Sequence, residues 1–158
     1  MSLAAIREQI KVILSTVEGI GVVHDHERLA AEWNKYLDLF KDADGRLNGW
    51  MFALEKSQTA QVSQGEEERA RVFVFRGFMG LKDAGDTGLI FEGLVDRVQA
   101  QFDDYETLND TCLTINPDWG PMSGAMGYQI DLIEPRMFGS VLCHYTEGRL
   151  CAIETIER

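Results

Sequence analysis

The sequence predicts an α+β domain, a mostly antiparallel β-sheet of about four to five strands packed by two or three helices. Two strand-forming runs, Leu47 to Lys56 and Arg69 to Leu81, are separated only by a polar stretch. Two more, Tyr128 to Glu134 and Ser140 to Tyr145, close the chain as a second pair. Helical patterns precede and separate these pairs rather than alternating with single strands, which is the order of antiparallel hairpins and not of βαβ units. At 158 residues and 45% hydrophobic content, residues 1–158 are expected as a single domain whose core needs no disulfide or metal.

Ser2 is placed to cap a first helix in which Leu3, Ile6, Ile10, Ile13, Leu14 and Val17 recur at helical spacing, with Arg7, Glu8 and Lys11 opposite. Gly19-Ile20-Gly21 ends it, and Val22 and Val23 suit a short extended piece. Leu29, Trp33, Leu37 and Phe40 then repeat at intervals that fit a second helix. Asp42 to Gly45 supplies turn chemistry before the first long strand, centred on Trp50-Met51-Phe52.

Residues 57–68 are polar, with Gln58, Gln61, Ser63, Gln64 and Gly65 followed by three glutamates, and lack apolar material to pack. They are expected to form a mobile hairpin loop. The next strand carries Val72, Phe73, Val74 and Phe75 on alternate sides, so both of its faces should be covered. Asp86 or Thr87 is placed to cap a helix running to about Asp104, with a stripe of Ile90, Phe91, Leu94, Val95, Val98 and Phe102. From Leu108 to Gly127, prolines, glycines and Trp119 point to a short strand around Cys112 to Ile115 and then a loop. The last two strands flank Glu134-Pro135-Arg136-Met137-Phe138-Gly139, read as a proline-interrupted elbow. Its Met137-Phe138 pair is a candidate contact surface, the alternative being that the pair folds back into the core. Arg136 beside Glu134 reads equally as a local ion pair.

Charge and cysteine content narrow the function. Fifteen Lys and Arg against 26 Asp and Glu leave a formal charge of -11, without the clustered cations that phosphate binding requires. Cys112, Cys143 and Cys151 are three thiols without CxxC spacing, which argues for reduced cysteines rather than a disulfide framework or zinc site. The first residues carry charges inside their apolar stretch, and no apolar run approaches the roughly 20 residues of a membrane helix, so a cytoplasmic protein without membrane association is expected.

The motifs that could carry chemistry are weak ones. His24-Asp25-His26-Glu27 has metal-ligand residue types, but neighbouring side chains diverge in an extended segment and a ligand set needs several elements to converge. Asp42-Ala43-Asp44-Gly45 has the opening of a calcium loop, yet Ala53 stands where the bidentate glutamate belongs. Cys143 and His144 point to opposite faces of a strand, so a thiol nucleophile would have to take its base from His24 or His26. Gly77, Gly80, Gly85 and Gly88 match no phosphate-binding fingerprint. Asp103, Asp104, Glu106 and Asp110 read as a solvated face, having no apolar residues around them to raise a carboxyl pKa. No catalytic, cofactor or metal residue is assigned, and a binding protein rather than an enzyme is expected.

The series formed by Leu47 to Phe52, Val72 to Gly77, a helix at 88–104 and the closing Glu134-Pro135-Arg136-Met137-Phe138-Gly139 hairpin resembles phage and prophage tail terminator, or tail completion, proteins. The resemblance spans nearly the whole chain, departing from the shortest such proteins at 24–42 and at Pro117 to Pro121. It implies a structural virion protein, assembled in the bacterial host cytoplasm. Such a protein forms a homo-oligomeric ring, commonly hexameric, that caps the tail tube and makes the head-tail joining surface. Partners implied are further copies of the chain, the tail tube protein and a head-completion protein, with DNA only passing through an acidic lumen. Head completion and tail tube subunits are neighbouring alternatives. A ring needs two different patches per protomer, and the candidates are Pro135, Arg136, Met137 and Phe138 in the elbow and Gln61 and Gln64 in the 57–68 segment. Two other classes stand beside it: a cytoplasmic enzyme using Cys143 or Cys112, and a small acidic adaptor for a basic partner.

Overall fold

The computed structural model describes residues 1–28, 33–43, 45–81 and 85–157. Its elements run α1 (Leu3–Ser15), β1 (Val22–His24), α2 (Trp33–Asp38), β2 (Asn48–Ser63), β3 (Glu66–Gly80), α3 (Thr87–Asp103), β4 (Gln129–Phe138) and β5 (Val141–Ile156). The five strands make one sheet in the order β1-β2-β3-β5-β4, with only β1 and β2 parallel. This is the α+β layer that the sequence predicts.

Helix α1 begins where Ser2 Oγ accepts a hydrogen bond from the Ala5 N–H at 3.1 Å, and it buries Ile6, Ile10, Ile13 and Leu14. Helix α3 buries Phe91, Leu94, Val95, Val98 and Phe102, while Ile90, assigned to the same stripe from its spacing, is 55% exposed. Asp86 occupies the N-cap of α3 without a side-chain capping bond. Both helices lie on one face of the sheet, over Trp50 and Phe52 of β2, Phe73 and Phe75 of β3, and Leu150 and Ala152 of β5. Strand β3 sits between β2 and β5 along nearly its full length, so Val72 and Val74 are buried on the face opposite Phe73 and Phe75.

That opposite face is covered in two pieces. Tyr36, Leu37 and Phe40, in and just beyond α2, cover Met51, Phe78, Phe138, Cys143 and Tyr145 at one end. Trp119 and Met122, from the segment after α3, cover Ala70, Val72, Cys151 and Ile153 at the other. Between them, Arg149 bonds Glu55 of β2 through Nε (2.9 Å) and Nη2 (2.8 Å) and Asp131 of β4 through Nη1 (2.6 Å). Its Nη2 also reaches Glu147 at 3.1 Å, so one guanidinium ties β5 to strands on both sides.

Several expectations are corrected. Residues 57–68 are not a loop: β2 and β3 stay paired to Ser63 and Glu66, turning only at Gln64 and Gly65. Backbone pairing supplies what the side chains lack, since a ladder bonds polar residues as readily as apolar ones. Nor is 134–139 an elbow, because β4 runs through Pro135 to Phe138 and the chain reverses at Gly139 and Ser140. Pro135 sits on an edge strand, β4, the place in a sheet where proline is tolerated because the outward-facing N–H groups take part in no ladder bond. The strand expected around Cys112 to Ile115 reduces to one bridge, Thr114 to Ile153. The second helix is described from Trp33, with residues 29–32 outside the described residues.

Candidate functional site

The β4–β5 hairpin carries four of the residues expected at a contact surface, and the structure divides them. Phe138 is only 8% exposed, its ring 5.1 Å from Phe78, 5.8 Å from Tyr145 and 6.1 Å from Tyr36, so it anchors the hairpin and is not available as a contact residue. Arg136 lies flat on the same face, bonded through Nε to Glu134 at 3.1 Å, with its guanidinium 4.1 Å from the Tyr145 ring centre. The local ion pair is therefore present. Met137 points the other way, 56% exposed, opposite Leu142 at 42%. Period-two alternation splits the Met137-Phe138 pair into one outward knob and one inward anchor.

Gln61 and Gln64 lie exposed at the far tip of the β2–β3 hairpin. The ladder places Phe138, Val141 and Gly80 at one end of the sheet and Ser63, Glu66 and Ile156 at the other. The fifteen residues of β3, with about 3.3 Å between successive residues, separate the two ends by about 45 Å. The outer edge of β2 beyond Met51 has no strand beside it among the described residues, because β1 pairs only with Gly49 to Met51.

A cleft of about 650 Å³ opens at the same end of the sheet as the Met137 hairpin, between α3 and the ends of β2 and β3. Leu47, Met79, Ile90 and Leu94 form its apolar wall, brought together by the start of β2, the end of β3 and the first turns of α3. The turn before β2 forms a rim, held by Asp42 N–H donating to Arg46 O at 2.8 Å and Arg46 N–H to Asp42 Oδ1 at 3.0 Å. Sequence reading misses this cleft because it assigns Ile90 inward. The signal available is that Ile90 lies on the flank of a stripe centred on Phe91, Leu94, Val95 and Val98.

The groups that could carry chemistry are tied up elsewhere. Cys112, Cys143 and Cys151 are free thiols and all buried. Burial pushes Cys112 up to about 12 and Cys143 and Cys151 to about 11, away from the reactive thiolate range. His144 sits on the face opposite Cys143, its Nε2 2.9 Å from Thr87 Oγ1 and its ring stacked on Phe91. His24 Nε2 bonds the Leu39 carbonyl at 2.6 Å, and His26 Nδ1 bonds Asp25 at 2.9 Å. Among the described residues no group of three or more His, Cys, Asp or Glu is disposed to hold a metal ion. Asp103, Asp104, Glu106 and Asp110 are exposed.

A second cleft, of about 590 Å³, lies over the far end of the sheet beside Trp119, whose Nε1–H donates to Glu68 at 2.9 Å. Val62, Leu113 and Ile153 contribute its apolar part, and Glu68, Glu106 and Asp118 its charge. Compared with known proteins, the chain matches no family model and no curated sequence.

Proposed function

We propose that the protein is a structural subunit of a phage or prophage tail, of the tail terminator kind. It acts by assembling with copies of itself into a ring at the end of the tail tube. One observation carries this reading: a long, highly paired sheet displays two chemically different exposed surfaces about 45 Å apart, the Met137 hairpin at one end and the polar β2–β3 tip at the other. Separate surfaces of unlike chemistry let one meet copies of the chain while the other meets a different partner, as a ring seated on a tube requires. The polar tip, with its unpaired β2 edge, is offered to the tube or head-completion partner, and the charge of -11 favours a lumen along which DNA passes without being held. The ring order and the virion setting come from the resemblance. Negative-stain electron microscopy of the purified protein, alone and with tail tube protein, tests it. Rings with an open centre are expected, and single particles under both conditions would contradict the reading.

The Trp119 cleft favours a second reading, a small acidic adaptor whose carboxylates receive a basic partner segment. Its mark is a partner contact that weakens steeply with salt. The cysteine-dependent enzyme loses support, since each thiol is buried with a raised pKa.

A further inference from the structure

We infer that the tip of the β4–β5 hairpin of one copy docks into the Leu47–Met79–Ile90–Leu94 cleft of the next, and that this contact is the repeating joint of the assembly. The inference rests on the ring reading above and names the two surfaces that would carry it.

The knob and the cleft suit each other in place, polarity and charge. Both lie at one end of the sheet, Met137 and Leu142 on the β4–β5 hairpin and the cleft between α3 and the ends of β2 and β3, whose Met79 and Gly80 pair with His144 and Cys143 of β5. A single joint between two different patches leaves one copy with a free cleft and the other with a free knob, so it propagates by rotation and can close a ring. The knob is apolar and exposed, and the cleft wall is apolar with Ile90 half open to solvent.

Charge decides between the two clefts. Copies of a chain carrying -11 repel one another, so a self-contact must avoid facing carboxylates. Residues 137–143, Met-Phe-Gly-Ser-Val-Leu-Cys, form the hairpin tip and contain no charged side chain. Among the described residues that line the cleft, Arg46 and Arg97 balance Asp42 and Asp86. The Trp119 cleft has three carboxylates among its lining residues and no cation, which disfavours a like-charged copy there. A hairpin tip alone covers far less than the roughly 800 Å² per partner of a stable pair, so the joint is weak for two copies and strengthened when a ring closes.

Sedimentation velocity on three variants and one mixture tests this. M137D/L142D removes the knob, I90D spoils the cleft, and L89D changes a neighbouring exposed residue that does not line it. All four positions are solvent-exposed, and unchanged circular dichroism verifies the fold of each variant. Wild type and L89D are expected to assemble alike, while M137D/L142D and I90D each lose at least tenfold in apparent association. Mixing these two restores one intact joint and, at concentrations well above those at which wild type assembles, is expected to yield dimers and nothing larger. Undiminished assembly of either variant, or a mixture that gives only monomers, overturns the joint while leaving the ring reading in place. A wild-type chain that stays monomeric at every concentration and with tail tube protein removes the ring reading itself.

Discussion

Gly148 shows how far single atoms fix this fold. A Cβ there would overlap the Tyr128 hydroxyl and come 2.6 Å from the Gln129 carbonyl, so β4 and β5 approach as they do only because position 148 has no side chain. Gly148→Ala is expected to cost about 3 kcal/mol in chemical denaturation, in the upper range for overpacking, with part recovered when Tyr128→Phe removes the blocking oxygen. The thiols give a second residue-scale test. Iodoacetamide at neutral pH should leave all three unmodified in the native protein and label all three in denaturant, as read by mass spectrometry; labelling of the native protein would revive a thiol chemistry. His144 gives a third. Burial lowers its pKa below 6.5, so as pH falls through that value the unfolded chain takes up a proton that the folded chain refuses. Its contribution is full above about pH 6.5 and lost below it. The melting temperature of wild type should fall more than that of His144→Gln between about pH 7.5 and 5.5. Glu55, with its pKa lowered chiefly by the Arg149 hydrogen bonds, contributes stability that is full above its usual value of 4.5 and lost as pH falls below it, a separate and more acidic window.

Among the elements, the two long helices were legible because an apolar stripe at helical spacing has few other interpretations; α3 falls within a residue of its expected limits, while α1 starts after Ser2 as expected but ends at Ser15, short of Gly19. The core of the sheet was legible for the same reason, through Trp50, Phe52, Phe73 and Phe75. Residues 57–68 were misread because side-chain polarity reports burial, whereas their strand state comes from backbone pairing between β2 and β3. The Met137 surface was half legible: the hairpin was found, but its register, which decides that Met137 faces out and Phe138 in, follows from where Gly139 and Ser140 reverse the chain. The Ile90 cleft was not legible, since it forms where Leu47 meets the β3–α3 junction, which lies far from it in sequence. Hydrogen exchange checks the corrected hairpin. Amides of β3 from Glu67 to Gly80, paired on both sides, should exchange slowly, while alternate amides of β2 between Leu54 and Ser63 should exchange fast along the bare edge. Uniformly fast exchange across 57–68 would restore the loop expectation.

At the scale of the whole molecule, a charge of -11 sets the conditions under which copies can meet. An apolar, locally neutral joint between mutually repelling copies should strengthen as salt screens the repulsion, the opposite of an ion-pair contact with a basic partner. The most direct measurement is therefore the sedimentation velocity profile of wild-type protein at one fixed concentration, from about 0.05 to 0.5 M NaCl, over which the screening length falls about threefold. The account predicts a rising fraction of one discrete assembly larger than a dimer. A monomer at every salt concentration that also ignores added tail tube protein would contradict it.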